Sequence, residues 1–405
     1  MIPAKATRKR TINRILSRLD ATFLTHETTA YPSVYFIGTS SVCDIRCPYC
    51  PRQYYLGEVD SGLMDFEKFM RIAPYLEYAE EANFFGLGEP FLHPRFFDFL
   101  KTASQTGIKT STSTHGMTLT PENIERIVET HLDELAISID GADKKTFEFL
   151  RAGADFDVVT GNILRLRELK KKYDAKYPVI QIATAVSRHN VEQMPDMVRL
   201  AARLGAERIV FTDLILVNPD NSEISVSKTD VFHKYYAKAE EAGRRKGVDV
   251  LYFFQNPFPW KEDPIPEIRG GDKRYFCRDP WRMCIIDRLG NMKPCCYYPP
   301  NTGNVFQKSI EQVFNSRENR HLRQSLIRGR LPECCINCGM LTELNFENSQ
   351  NSLNEAKEIF RQGIDKDLLT QEDVAFIEKK MEQYENMMKN LLTQKEQKPT
   401  GVLHD

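Results

Sequence analysis

Short apolar runs alternate with amphipathic stretches between residues 33 and 255. The apolar runs predict six strands, at 34–37, 82–86, 108–113, 135–139, 179–186 and 208–215. Between them, apolar residues recur every three or four positions, which predicts helices near 65–79, 95–106, 121–130, 143–172, 191–204 and 229–246. This alternation indicates right-handed βαβ units and a parallel sheet. Six units are too few for a closed barrel of eight, so we expect an α/β fold built as an open, partial (β/α)6 TIM-like barrel.

Local signals support some helix boundaries. Thr120 and Pro121 suit the N-cap and first position of a helix, and Gly205 suits a helix end. The N-terminal extension, residues 1–32, predicts a short amphipathic helix. Its apolar face consists of Ile12, Ile15, Leu16 and Leu19. We expect this helix to dock on the main domain, in preference to a membrane or a partner.

The pattern changes after residue 255. Residues 256–276 are rich in proline and contain Gly270-Gly271, which predicts a linker. A small cysteine-rich module follows at 277–340, with a predicted hairpin of strands 283–287 and 291–293. The tail, 341–405, is polar and predicted to be helical. Its apolar positions have heptad-like spacing: Val374, Ile377, Met381, Tyr384, Met388 and Leu391. Packing on the same chain is our expectation, and a dimer through this helix is the alternative.

Composition narrows the classes of function. The 405 residues carry a net charge of −1, which gives no electrostatic case for nucleic acid or a membrane surface. No apolar run approaches the roughly 18 residues of a membrane span, and no signal-peptide core follows the basic N-terminus, so we expect a cytoplasmic protein. The ten cysteines fall into two groups, at 43–50 and 277–338. In a reducing compartment, such clustering favours metal ligands over disulfides.

The first group, Cys43, Cys47 and Cys50, has the spacing C-x₃-C-x₂-C directly after the first predicted strand. Thiolates select iron–sulfur clusters, zinc or copper(I). Three of them cannot supply the four protein ligands usual for a [4Fe–4S] cluster. Either a fourth ligand comes from elsewhere, as in a zinc site completed by His93 or His115, or one iron is open to a small molecule.

Further motifs follow at the ends of later strands. Gly86-Leu87-Gly88-Glu89-Pro90 ends the second, Thr114-His115-Gly116 the third and Ser138-Ile139-Asp140-Gly141 the fourth. With the cysteine triplet, this order resembles the radical S-adenosylmethionine (radical SAM) superfamily over residues 33–340. The resemblance implies that the three cysteines hold a [4Fe–4S] cluster whose fourth iron binds S-adenosylmethionine (SAM). Reductive cleavage of SAM then gives a 5′-deoxyadenosyl radical that abstracts hydrogen from substrate.

The resemblance also implies roles for single residues. Tyr49 would lie near the adenine of SAM, and Ser138 and Arg151 would contact its ribose and carboxylate. Gly86, Gly88, Glu89 and Pro90 form the segment whose backbone meets the SAM amino group; these four residues complete the expected cofactor site. His115 stands where many relatives have asparagine.

The second cysteine group resembles a SPASM/twitch module. Cys277 is followed at characteristic spacings by Gly290 and Cys295, and later by Cys335-x₂-Cys338. The resemblance implies one auxiliary [4Fe–4S] cluster held by these four cysteines. A zinc knuckle is the structural alternative. The remaining cysteines, Cys284, Cys296 and Cys334, fit buried apolar positions, although Cys296 and Cys334 could each replace a neighbouring ligand.

We therefore expect a radical SAM enzyme that oxidises or rearranges a small molecule, such as a sugar, an aminocyclitol or a nucleoside. It would draw electrons from a reductant such as flavodoxin or ferredoxin. The alternative is a peptide- or protein-modifying maturase, which the short segment before the first strand makes less favoured. A non-enzymatic electron carrier or zinc scaffold is more remote. His115 and Asp213, at predicted strand ends, are candidate acid–base residues, and each is equally open to a structural role.

Overall fold

The computed structural model describes residues 5–54, 61–214, 224–226, 229–253, 275–296, 298–335, 338, 340–343 and 346–396. Residues 256–274 of the predicted linker and residue 215 of the sixth predicted strand lie outside them. The strands are β1 Val34–Ile37, β2 Glu81–Phe84, β3 Lys109–Thr114, β4 Glu134–Ser138, β5 Val179–Val186, β6 Arg208–Asp213, β7 Asp249–Phe253, β8 Tyr275–Phe276, β9 Met283–Ile286, β10 Asn291–Lys293, β11 Gly303–Asn304 and β12 Thr342–Glu343.

The helices flank this sheet and continue into the tail. They are α1 Arg8–Thr22, α2 Pro51–Tyr54, α3 Phe66–Phe69, α4 Phe96–Gln105, α5 Pro121–Glu129, α6 Lys144–Leu150, α7 Phe156–Lys172, α8 Met194–Leu204, α9 Asp230–Lys246, α10 Asp279–Arg282, α11 Ile310–Phe314, α12 Arg317–Ile327, α13 Phe346–Asp365 and α14 Gln371–Glu396. No helix in the described part of the chain has an apolar stretch long enough to cross a membrane.

One sheet runs through both the barrel and the cysteine-rich module. Its strand order is β11-β10-β9-β1-β2-β3-β4-β5-β6-β7, and every pair from β9 to β7 is parallel. The predicted parallel α/β fold and the predicted β9–β10 hairpin are both confirmed. Strand β7 was not predicted, although Val250 to Phe253 form an apolar run; its side chains are only partly covered in the structure. The parallel pairing of β9 with β1 was also not predicted.

Two predicted helices are interrupted. The stretch 65–79 forms α3 and a separate 3₁₀ turn, Ala73–Glu77, with Pro74 near the start of the turn. The stretch 143–172 divides into α6 and α7 around Gly153, whose φ of +98° a helix cannot accommodate. A Cβ at Gly153 would lie 3.3 Å from the Ile45 Cα, so this break lets the chain approach the cysteine loop closely. In contrast, Thr120 caps α5 and Gly205 ends α8 at φ +78°, as predicted.

The N-terminal helix and the tail pack together. Ile15 and Leu19 of α1 share a buried cluster with Ile377 and Met381 of α14. Arg10 of α1 also donates to the carbonyls of Leu76 at 3.3 Å and Thr106 at 3.2 Å, so the predicted docking of α1 on the main domain is confirmed. In the described part of the heptad-like face, Ile377, Met381 and Tyr384 are covered by the same chain. The side chains of Met388 and Leu391 lie outside the described residues.

Candidate active site

The C-terminal ends of β1 to β5 meet at one edge of the sheet, where ligand sites of parallel α/β folds form. Cys43, Cys47 and Cys50 lie in the loop after β1, and all three thiols are partly buried. The segment after β2 and the segment after α6 support this loop. The Glu89 N–H donates to the Val42 carbonyl at 2.8 Å, and the Arg46 N–H donates to the Ala152 carbonyl at 2.8 Å.

Glycines let the end of β2 contact the loop. A Cβ at Gly88 would lie 2.5 Å from the Val42 carbonyl oxygen and 2.7 Å from that of Ser40. These contacts are with backbone, so no side chain can be accommodated there. At Gly86 a Cβ would lie 3.1 Å from the Gly38 Cα. The segment expected to meet SAM is thus adjacent to the cysteine loop.

The Glu89 side chain points into the protein. It is 2% exposed, and its Oε1 accepts hydrogen bonds from the hydroxyls of Thr114 at 2.9 Å and Thr118 at 3.0 Å. Its Oε2 accepts from the His115 N–H at 3.0 Å. The carboxylate therefore joins the ends of β2 and β3, and the Glu89 side chain is not available to a ligand.

The His115 ring is buried against the cysteine loop. Its Nδ1 accepts the Met117 N–H at 3.1 Å, so the proton of the neutral ring lies on Nε2. That Nε2 lies 2.7 Å from Asp44 Oδ1 and donates to it. The geometry argues against His115 as a general base, because neither nitrogen is free to accept a proton from substrate.

The same geometry argues against the zinc alternative. Ligand atoms of Cys43, Asp44 and His115 lie within 4.8 Å of one another, but Nε2 carries a proton and cannot ligate while Met117 occupies Nδ1. His93 is also fully bonded. Its Nδ1 accepts the Arg95 N–H, and its Nε2 lies 2.8 Å from the Met64 carbonyl.

Arg151 lies beside the loop. Its Nε donates to Asp140 Oδ2 at 2.5 Å, and Asp140 Oδ1 accepts the Ala185 N–H, which fixes the guanidinium at the ends of β4 and β5. Burial raises the pKa of the Cys47 thiol, and the Arg151 cation opposes that rise. A cation held here can balance the negative charge of a thiolate-bound cluster or pair with a carboxylate. Ser138 is the last residue of β4, at the same edge.

Aromatic groups cluster around Tyr49. The Tyr49 ring stacks on His189 with centroids 6.2 Å apart, and Phe149, which is 52% exposed, meets the same imidazole edge-on with centroids 5.1 Å apart. Sequence reasoning did not identify His189. This residue lies just beyond the end of β5, and that position could have indicated a site residue. The flat faces suit the expected adenine position.

Asp213 ends β6 and is buried. Its carboxylate accepts the Tyr252 hydroxyl of β7 at 2.7 Å. This bond joins the last two strands of the sheet, which favours a structural role for Asp213 over acid–base catalysis.

The second cysteine group assembles around α10. The thiol of Cys277 interacts electrostatically with those of Cys295 and Cys338, and Cys335 interacts with the same two. The four sulfurs expected to hold the auxiliary cluster are therefore neighbours. Cys334 Sγ lies 3.9 Å from Cys335 Sγ, so it stays an alternative ligand.

The remaining cysteines differ from each other. Cys284 is fully buried on β9, opposite Tyr35 of β1, and fits the predicted apolar role. Cys296 is exposed, which does not fit a buried apolar position. The expectation for Cys296 is therefore wrong as to burial.

The first cysteine group lies at the strand-end edge of the parallel sheet and the second lies around α10, and comparison with known proteins identifies the class of protein. Residues 37–201 match the family model of the radical SAM superfamily, and residues 277–339 match that of an iron–sulfur cluster-binding domain, SPASM. The chain belongs to the radical SAM superfamily and carries a SPASM domain. Its cofactors are SAM, the [4Fe–4S] cluster that binds it, and auxiliary iron–sulfur clusters.

The chain is similar to two curated proteins and to one solved structure of this kind. It is 23% identical over 339 residues to a tungsten-containing aldehyde ferredoxin oxidoreductase cofactor-modifying protein of Pyrococcus furiosus, covering 77% of this chain and 88% of that protein. It is 27% identical over 165 residues to the mycofactocin maturase MftC of Mycobacterium tuberculosis, covering 40% of each. The crystal structure of Streptococcus suis SuiB superposes with a TM-score of 0.57 at 15% identity, over 73% of this chain and 68% of SuiB, which shows a shared fold.

Proposed function

We propose that this radical SAM enzyme is a maturase that modifies a peptide or protein substrate. The observation that carries the proposal is the similarity to the mycofactocin maturase across 165 residues. This favours the peptide alternative over the sugar, aminocyclitol or nucleoside substrate that we expected from the sequence. We also infer that the reaction is a net oxidation. We further infer that the protein works in a reducing compartment such as the cytoplasm.

The open side of the sheet supports a long substrate. Strand β7 is the last strand at its edge among the described residues, and Leu251 and Phe253 on it are exposed. The exposed ring of Phe149 lies at the strand-end edge near Tyr49. A partial barrel with an open side can admit an extended chain that a closed barrel would exclude.

We infer a role for each of these residues from its position in the site. We assign Cys43, Cys47 and Cys50 to the cluster that binds SAM, and Cys277, Cys295, Cys335 and Cys338 to an auxiliary cluster. When bound, these groups supply a carbon-centred radical strong enough to remove hydrogen from an unactivated carbon. The backbone at Gly88, the guanidinium of Arg151 and the ring of Tyr49 orient the cofactor. An electron-donor protein such as flavodoxin or ferredoxin completes the system.

A second candidate is the modification of a small-molecule cofactor. The Pyrococcus furiosus relative, described as cofactor-modifying, matches 77% of this chain, whereas the mycofactocin maturase matches 40% of it. This candidate keeps the same cofactor site and changes only what enters the open side of the barrel.

The test compares the two substrate classes directly. The reconstituted full-length protein, reduced and supplied with SAM, is incubated with short peptides encoded next to its gene or with small-molecule cofactors. We expect a peptide to raise 5′-deoxyadenosine release and to change mass, while the Cys47→Ala variant releases none. Stimulation and product formation only with a small molecule would refute the peptide proposal and support the second candidate.

A further inference from the structure

The His115–Asp44 hydrogen bond joins two parts of the chain that are 71 residues apart. His115 follows β3, whereas Asp44 lies inside the cysteine loop, next to Cys43. The ring is held rigidly, since it is only 5% exposed and its Nδ1 is occupied by the Met117 N–H at 3.1 Å. The Asp44 side chain is 48% exposed. The hydrogen bond therefore attaches the partly exposed cysteine loop to a rigidly held imidazole.

The His115 imidazole belongs to a larger hydrogen-bonded group. His115 Nε2 also lies 3.4 Å from Glu89 Oε2, and the His115 backbone donates to the same oxygen at 3.0 Å. Glu89 in turn donates its own N–H to the Val42 carbonyl, one residue before Cys43. The Cys43 end of the loop is therefore attached to the ends of β2 and β3 both through the backbone and through the Asp44 side chain.

We propose that His115 is a positioning residue, which acts through Asp44 to fix the Cys43 end of the cysteine loop. The inference rests on the proposed assignment of Cys43, Cys47 and Cys50 as cluster ligands. Groups that hold metal ligands in place commonly control metal affinity about 10- to 100-fold. Here the hydrogen bond acts on the cysteine loop. Its loss should therefore lower the affinity of the loop for iron without changing the ligands.

The test follows iron release to a chelator from the reconstituted full-length protein. We expect Asp44→Ala and His115→Phe each to speed release by about 10- to 100-fold. The double variant should be no worse than the worse single variant, because both changes break one bond. In Asp44→Asn the amide oxygen can still accept from Nε2, so release should stay near that of the unchanged protein.

His93→Phe is the matched control. His93 is also buried and bonded through both ring nitrogens, but its partners are Arg95 and Met64, outside the cysteine loop. It should release iron at the rate of the unchanged protein. A second readout is the electron paramagnetic resonance spectrum of the reduced cluster, which should shift on addition of SAM less completely in Asp44→Ala than in Asp44→Asn.

Several outcomes would overturn the inference. One is iron release from His115→Phe or Asp44→Ala at the control rate, and another is additive effects in the double variant. A third is iron release from Asp44→Asn as fast as from Asp44→Ala, which would indicate that the charge of Asp44 matters and not the hydrogen bond. If His115→Phe does not fold, the two Asp44 variants carry the test, because the Asp44 side chain is 48% exposed and its replacement should be tolerated. Unchanged iron content in Cys47→Ala would instead refute the cluster assignment itself.

Discussion

The buried carboxylate of Glu89 allows a quantitative prediction. In Glu89→Gln one oxygen becomes an NH₂ group. At the Oε2 position this group would face the His115 N–H, so that two donors meet at 3.0 Å. At the Oε1 position the hydroxyls of Thr114 and Thr118 could turn to accept, but the Phe91 N–H, 3.3 Å away, would lose its acceptor. Either orientation leaves a buried backbone donor unpaired, which costs about 1–3 kcal/mol.

Loss of the charge has two opposing effects. The remaining hydrogen bonds weaken because they are no longer charge-assisted, while removal of a buried charge recovers some desolvation free energy. We therefore expect Glu89→Gln to lower the free energy of unfolding by about 2 kcal/mol, roughly 30-fold in the unfolding equilibrium constant. Urea denaturation of the cluster-free protein measures this value without any contribution from bound metal.

Glu67→Gln is the control for the same chemical change at the surface. The Glu67 side chain is 77% exposed and pairs with Arg95 at 3.2 Å, so its loss should cost less than about 0.5 kcal/mol. If Glu89→Gln costs no more than Glu67→Gln, the carboxylate does not hold β2 and β3 together. Glu89 would then give the cofactor segment no more support than a surface residue.

Three other predictions concern the clusters and the tail. Reconstitution should give about eight irons per chain if two [4Fe–4S] clusters form, and Cys277→Ser should reduce this to about four; eight irons in that variant would refute its assignment. Ile377→Ala should lower the free energy of unfolding, measured in urea, by about 2–4 kcal/mol, because the side chain is fully buried between α1 and α13. A loss under about 1 kcal/mol would contradict this packing. The hydrogen bond from Arg8 holds the pKa of Asp373 below its ordinary value of 3.8, so this carboxylate stabilises the fold above that pH and the contribution disappears as pH falls further. Unfolding curves of the unchanged protein and Asp373→Asn should converge below about pH 4; a constant difference from about pH 7 to about pH 3 would refute the pair.

Features that depend on neighbours in the chain could be predicted from sequence. The cap at Thr120 and the positive φ at Gly205 follow from the chemistry of those residues alone. The hairpin of β9 and β10 also follows from a local turn. The spacing of Cys43, Cys47 and Cys50 is sufficient by itself to indicate a metal site, because the three thiols lie within one loop.

Features that depend on distant contacts could not be predicted. The tie between Asp44 and His115 spans 71 residues, and no local pattern shows that two polar side chains will meet. His115 was a catalytic candidate because strand-end position indicates reach toward a ligand, but not which hydrogen bonds the ring has already made. The break at Gly153 was hidden for a similar reason, since an amphipathic pattern continues through it and the approach to Ile45 decides the backbone conformation.

The position of β9 connects the two cysteine groups mechanically. Strand β1, which leads into the Cys43 loop, has β2 on one side and β9 of the SPASM domain on the other. The Gly38 N–H, just beyond β1, donates to the Ile286 carbonyl at 2.9 Å. Further along, Arg288 Nε donates to the Ser41 hydroxyl at 3.1 Å, close to the first cysteine.

The loop proposed to hold the first cluster is therefore supported by the second domain as well as by the barrel. A change that distorts the SPASM domain can shift Ser41 and the cysteines that follow it, although the auxiliary ligands lie elsewhere in the sequence. Loss of SAM cleavage in a SPASM-domain variant is consequently not sufficient evidence of electron transfer between clusters. The hydrogen bonds at Gly38 and Ser41 provide a structural route to the same result.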